Sequence, residues 1–150
     1  MFVYYASKGI TLNKRTFKKN LGFLLDNGKY NMLAQLMSDN SGIPIRFAIF
    51  KGKDKTSTMY SVREFGNTCL LMSLDKVLEY GGVLNVPQAD ERERIVERKE
   101  IPLFDEEAFR EAMINAFVHN QWTTGNAPMI TAFSDRIEIL SRGTIPPGQT

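Results

Sequence analysis

Ile101-Pro102-Leu103-Phe104-Asp105-Glu106-Glu107-Ala108-Phe109-Arg110-Glu111-Ala112-Met113-Ile114-Asn115-Ala116-Phe117-Val118-His119 is the stretch that sets the architecture. Asp105 stands where a helix N-cap needs a side-chain acceptor, and two acids follow in the first turn. Phe104 is placed to staple against Phe109. Ala108, Phe109, Ala112, Met113 and Ala116 share one helical face, and Ile114 and Val118 lie on the far side. Between these apolar surfaces runs a narrow polar stripe, Glu111, Asn115 and His119, at i, i+4, i+8. Were it buried, each polar group without a partner would cost about 1–3 kcal/mol, so the stripe is expected to have partners or to line a wet cleft. A carboxylate and an amide one turn apart suit a magnesium–phosphate site: the amide oxygen ligates the ion and the carboxylate orients or deprotonates water. The same spacing also fits an amphipathic helix with a plain Glu–His surface edge.

Outward from this helix the periodicity changes. Met129–Phe133 and Arg136–Leu140 are expected to pair as a hairpin across Ser134-Asp135. Upstream, Leu70, Leu71, Leu74, Val77 and Leu78 predict a helix over about 67–80, closed by Gly81-Gly82. Ile45, Phe47 and Ile49 alternate as a strand, with Thr58–Glu64 as its hairpin partner beyond the charged turn Lys51-Gly52-Lys53-Asp54-Lys55. Before these, Asn13 is expected to cap a helix carrying Phe17, Leu21, Leu24 and Leu25, stopped by Asp26-Asn27-Gly28. A second helix is expected over about 30–37, with Met32, Leu33, Leu36 and Met37 inward. Residues 90–100 hold five acids and four bases, which reads as a linker or an exposed strand. The fold class is therefore α+β: N-terminal helices with a small antiparallel sheet over 1–84, a charged connection over 85–100, then a helix and hairpin over 101–150.

Composition narrows the chemistry. The single cysteine, Cys69, excludes an internal disulfide, and with only His119 beside it few metal sites remain. No apolar run approaches the ~20 residues of a membrane span, and no secretory signal is evident, so a cytoplasmic domain is expected, without membrane association. Residues 1–55 carry ten Lys or Arg against three acids, a net of +7, whereas 56–150 carry nine bases against fourteen acids, a net of −5. A basic half attracts polyanions or an acidic neighbour, or is a plain lysine-rich surface. No arginine–aromatic alternation of a single-strand reader runs along it. There is no GxxxxGK[ST] or GxGxxG loop. Ser57, Ser61 and Ser73 lack a matching histidine or nucleophile elbow, Cys69 is expected as a buried structural thiol, and Trp122 is expected to pack rather than stack on a base.

Residues 101–119, with Arg110-Glu111-Ala112-Met113-Ile114-Asn115-Ala116-Phe117-Val118-His119 at their centre, resemble the "pxxaxREAlvNAlvHRdY" segment of RecG-related bacterial transcriptional regulators. Gly28-Lys29-Tyr30-Asn31 to Ser38-Asp39-Asn40, Phe50 to Lys55, and Arg63-Glu64-Phe65-Gly66 resemble the family's "GkyNxLAxLLSDxN", "FxGxdK" and "rEFxG". The likeness runs from about Thr11 to Pro146. It implies an Alba- or Schlafen-like DNA-binding domain before this region and a C-terminal part resembling the ATPase fold of gyrase, histidine kinases and MutL. By that resemblance Glu111 matches the general base and Asn115 the magnesium ligand, and His119, Ser141 and Gly143 fall in the nucleotide-binding segments. ATP and magnesium are thus implied for a larger parent, with none held tightly by this piece alone, and DNA is implied as a partner of flanking domains. His119-Asn120-Gln121-Trp122 stands in place of His-Arg-Asp-Tyr, Ser141 in place of asparagine and Thr144 in place of glycine. The chain is expected to be a middle fragment, not an enzyme by itself, that senses nucleotide or couples DNA-binding domains. The alternatives are a non-catalytic scaffold or homodimerisation module with a degenerate nucleotide site, and a module that binds DNA directly through the basic half.

Overall fold

A computed structural model describes residues 1–85, 88–89 and 100–144. The helices are α1 (Phe2–Ser7), α2 (Phe17–Asn20), α3 (Met32–Leu36), α4 (Leu70–Leu84) and α5 (Glu106–His119). The strands are β1 (Arg46–Phe50), β2 (Met59–Glu64), β3 (Gln88–Ala89), β4 (Glu100–Ile101), β5 (Met129–Ala132) and β6 (Ile137–Leu140), with a 3₁₀ turn at Trp122–Thr124. The class is α+β.

The central sheet has four strands in the order β2-β1-β5-β6, and β3 pairs with β4 as a separate two-stranded ribbon. β1 runs antiparallel to β2 and parallel to β5, and β5 runs antiparallel to β6. The small antiparallel sheet expected for residues 1–84 is thus half of a mixed sheet shared with residues 101–144. Register explains which face is covered. Phe47 sits beside Ile130 and Ile130 beside Ile139, and the next row on the same face is Ile49, Ala132 and Ile137. These rows meet Val77 of α4 and Phe109, Met113 and Phe117 of α5 in one core. On the other face Val62, Met129 and Leu140 are exposed.

Local chemistry accounts for the elements that position α5. Asp105 adopts extended backbone and accepts a hydrogen bond from the Ala108 amide, and the Phe104 and Phe109 rings lie 5.2 Å apart, so cap and staple form as expected. The Phe133 amide donates to the Arg136 carbonyl, leaving Ser134-Asp135 as a two-residue turn. That turn docks on the β1–β2 loop, where the Ser134 amide donates to the Gly52 carbonyl and the Arg136 guanidinium to the Lys53 carbonyl.

Three expectations are corrected. The helix expected through Leu25 stops at Asn20, because Gly22 takes positive φ; Leu24 instead bridges Tyr30 across the Asp26-Asn27-Gly28 turn. Leu33 of α3 faces solvent while Leu36 and Met37 are buried. Gly81-Gly82 does not close the helix expected over about 67–80: α4 continues to Leu84. Most of the expected charged connection lies outside the described residues, as do residues 145–150. Among the described residues no helix is long and apolar enough to cross a membrane.

Candidate functional site

α5 is anchored by one side only. Phe109, Met113, Ala116 and Phe117 are buried, and Arg110, Glu111, Ile114, Asn115, Val118 and His119 are exposed. The polar stripe is therefore not enclosed between two apolar surfaces. Ile114 and Val118, on the far side of the helix, stand in solvent at 36% and 68% exposure, so Glu111, Asn115 and His119 lie on an open wall, as the plain amphipathic reading of the spacing has it. No hydrogen bond or ion pair joins these three side chains to one another or to other described residues. Burial imposes no polar penalty on them, and water satisfies them.

The C-terminal end of α5 is tied to the segment after β6. Asn120, only 6% exposed, donates through Nδ2 to the Asn126 carbonyl at 2.8 Å and accepts at Oδ1 from the Arg142 amide at 3.0 Å. Next to it the Gln121 amide donates to the Arg142 carbonyl at 2.6 Å. These bonds bring residues 141–143 against the last turn of α5, so that a β-carbon at Gly143 would lie 3.5 Å from the His119 carbonyl oxygen. His119 and Gly143 are thus neighbours. Ser141 is half-buried at the end of β6, and no hydrogen bond links it or Gly143 to Glu111 or Asn115. Trp122 is buried, as expected, and its indole N–H donates to the Phe117 carbonyl at 2.9 Å.

Sequence reasoning treated Asn120 only as a departure from an arginine. It is the residue that fixes one candidate segment against another. No local pattern signals it, because its partners, the Asn126 carbonyl and the Arg142 amide, lie six and twenty-two residues further along the chain.

Among the described residues no group of three His, Cys, Asp or Glu could hold a metal ion. Glu111 and Asn115 supply two oxygen donors, a set that suits magnesium only when phosphates and water complete its octahedron. The residues fit a magnesium–nucleotide on those terms and do not fit a metal held by protein alone.

No protein-family profile and no curated protein matches this sequence. Among solved structures, the crystal structure of the DIP2311 protein from Corynebacterium diphtheriae matches 97% of the chain with a TM-score of 0.65 at 19% identity. The chain spans 29% of the length of that protein. A likeness at this identity concerns the arrangement of the elements, which is the α+β fold above.

Proposed function

We propose that this chain is the nucleotide-sensing or coupling region of a RecG-related, ATP-linked bacterial transcriptional regulator that works in the cytoplasm, and that it is not catalytic by itself. The observation that carries the reading is the placement of Glu111 and Asn115. They stand one turn apart on the open face of a helix whose opposite face is locked into the core. A rigid helix holds two donors at a fixed spacing, as a phosphate-bound ion requires. Bound there, a magnesium nucleotide would supply concentrated charge. The Asn115 amide oxygen would offer one ligand, the Glu111 carboxylate would orient a water, and the Asn120 bonds would hold residues 141–143 beside the same helix end. Because the wall is open, occupancy would bias how neighbouring DNA-binding domains sit on it.

The test is a magnesium–ATP titration followed by backbone and side-chain NMR shifts. Shifts centred on Glu111, Asn115 and Gly143, lost in Asn115→Ala with the fold intact, are expected. A spectrum unchanged at millimolar nucleotide favours the second reading, a scaffold or dimerisation module. One observation speaks for that reading: the clefts between α4 and α5, beside β6, and among α1–α3 are lined by neither Glu111 nor Asn115.

A further inference from the structure

Where β1 and β5 begin and β6 ends, the central sheet carries a cavity of about 210 Å³. Arg46, Met129 and Leu140 stand side by side across the three strands, and Arg142 follows two residues beyond Leu140. All four line the cavity. Because β5 lies between β1 and β6, the two arginines approach from opposite sides of Met129. The shelf between them is apolar: Met129 and Leu140 are exposed, and Ala127 and Pro128 continue it. No acid lines the cavity among the described residues.

The walls are fixed. Asn120 ties Asn126 to Arg142, two residues of the lining, by its bonds to the Asn126 carbonyl and the Arg142 amide. The Arg142 carbonyl also accepts from the Gln121 amide, so this backbone is held at both its polar groups. The Arg142 side chain is exposed and forms no ion pair among the described residues. Arg46 donates through Nε alone, to Glu64 at 3.3 Å, and its two terminal nitrogens bond no other described residue. Such an exposed pair holds its partners weakly.

We infer that this cavity binds a small organic monocarboxylate, with the carboxylate held by Arg142 and Arg46 and the apolar body laid on Met129 and Leu140. The planar guanidinium fork matches the two oxygens of a carboxylate and forms charge-assisted bonds with them. An inorganic anion would leave the shelf wet, and a neutral ring would leave the forks unused. Size limits the body to one ring or a short branched chain, because the cavity is smaller than the ~300 Å³ at which drug-sized pockets begin. The inference goes beyond the nucleotide reading above and uses neither Glu111 nor Asn115, so either can fail without the other.

The experiment is an NMR titration of the full chain with sodium benzoate at constant ionic strength, beside benzamide, acetate and inorganic phosphate. Benzoate is expected to shift the Met129 and Leu140 methyls and the Arg142 amide to saturation, with the millimolar affinity that so few ligand atoms allow. Benzamide, acetate and phosphate are each expected to bind at least about tenfold more weakly, because each lacks the charge or the body. Arg142→Gln and Arg46→Gln should each weaken benzoate about tenfold, as loss of a charge-assisted bond requires. Both positions are exposed, so the remaining resonances should keep their places. Leu140→Asn should weaken benzoate without changing the response to acetate, and Asn115→Ala should bind benzoate as the parent chain does. Equal binding of benzamide overturns the inference in favour of a plain apolar pocket. Equal binding of acetate or phosphate overturns it in favour of general attraction of anions. No saturable shift at tens of millimolar benzoate, or no loss in the arginine variants, overturns it outright.

Discussion

Gly81 of α4 lies directly against the ring of Phe109 of α5: a β-carbon at Gly81 would fall 2.2 Å from Phe109 Cε1. The ring cannot readily yield, because it is buried and stapled to Phe104. The two helices thus meet at a point where one contributes no side chain, and this contact holds the anchored face of α5, opposite the candidate wall.

Gly81→Ala is expected to destabilise the chain. Overpacking a fixed contact costs about 1–3 kcal/mol, offset in part by the ~1 kcal/mol that alanine gains over glycine inside a helix. Gly82→Ala is expected to move the other way, by up to about 1 kcal/mol, because its β-carbon would meet only the Glu106 carboxylate, at 3.9 Å. Urea denaturation of the two variants should give opposite signs. A Gly81→Ala protein as stable as Gly82→Ala would remove the close contact from the account.

Asn120→Ala is expected to cost about 1–3 kcal/mol, since the Asn126 carbonyl and the Arg142 amide each lose a partner in a partly buried place. The loss should be local as well as global. Amide exchange at Arg142 should accelerate more than exchange in the middle of α4. Uniform acceleration across the chain would mean that Asn120 does not specifically fasten residues 141–143.

The parts legible from sequence are those whose cause is local. Asp105 and Phe104 announce the start of α5 because a cap and a staple are complete within five residues, and Ser134-Asp135 announces its hairpin for the same reason. Gly81-Gly82 carries the same local sign as a helix stop, yet α4 runs on to Leu84, and only the distant Phe109 ring shows why a glycine stands at 81 inside it. The parallel pairing of β1 with β5 joins residues about eighty positions apart, so no neighbouring pattern could disclose it. The candidate stripe was legible as a spacing but not as an environment: whether Ile114 and Val118 are covered depends on partners that helical periodicity does not name.

Glu111→Gln and Asn115→Ala are expected to leave stability within about 0.5 kcal/mol of the parent, because both side chains are exposed and bonded to no other described residue. Thermal melts check this directly, and the result matters for function. A loss of nucleotide response in either variant can then be assigned to the missing donor. A drop of 2 kcal/mol or more would instead show that the stripe supports the fold.

Asp54 is expected to titrate below its ordinary value of 3.8, because its carboxylate accepts from the Thr56 hydroxyl first and from the Thr56 amide second. These bonds favour the charged form. A depressed carboxyl contributes stability that is present above its unfolded value and lost as pH falls through the folded one, so the Lys51–Thr58 turn should loosen only below 3.8. The Asp54 carboxyl carbon shift, followed by NMR from pH 6 down to 2, locates the midpoint. Thr56→Val removes the hydroxyl and keeps the amide, so the midpoint should rise partway toward 3.8 while α5 and the central sheet keep their shifts. A midpoint unmoved by Thr56→Val would leave the Thr56 and Ser57 amides and the Arg136 charge as the causes, and with it the Thr56 hydroxyl would lose its part in fastening the loop on which the Ser134-Asp135 turn rests.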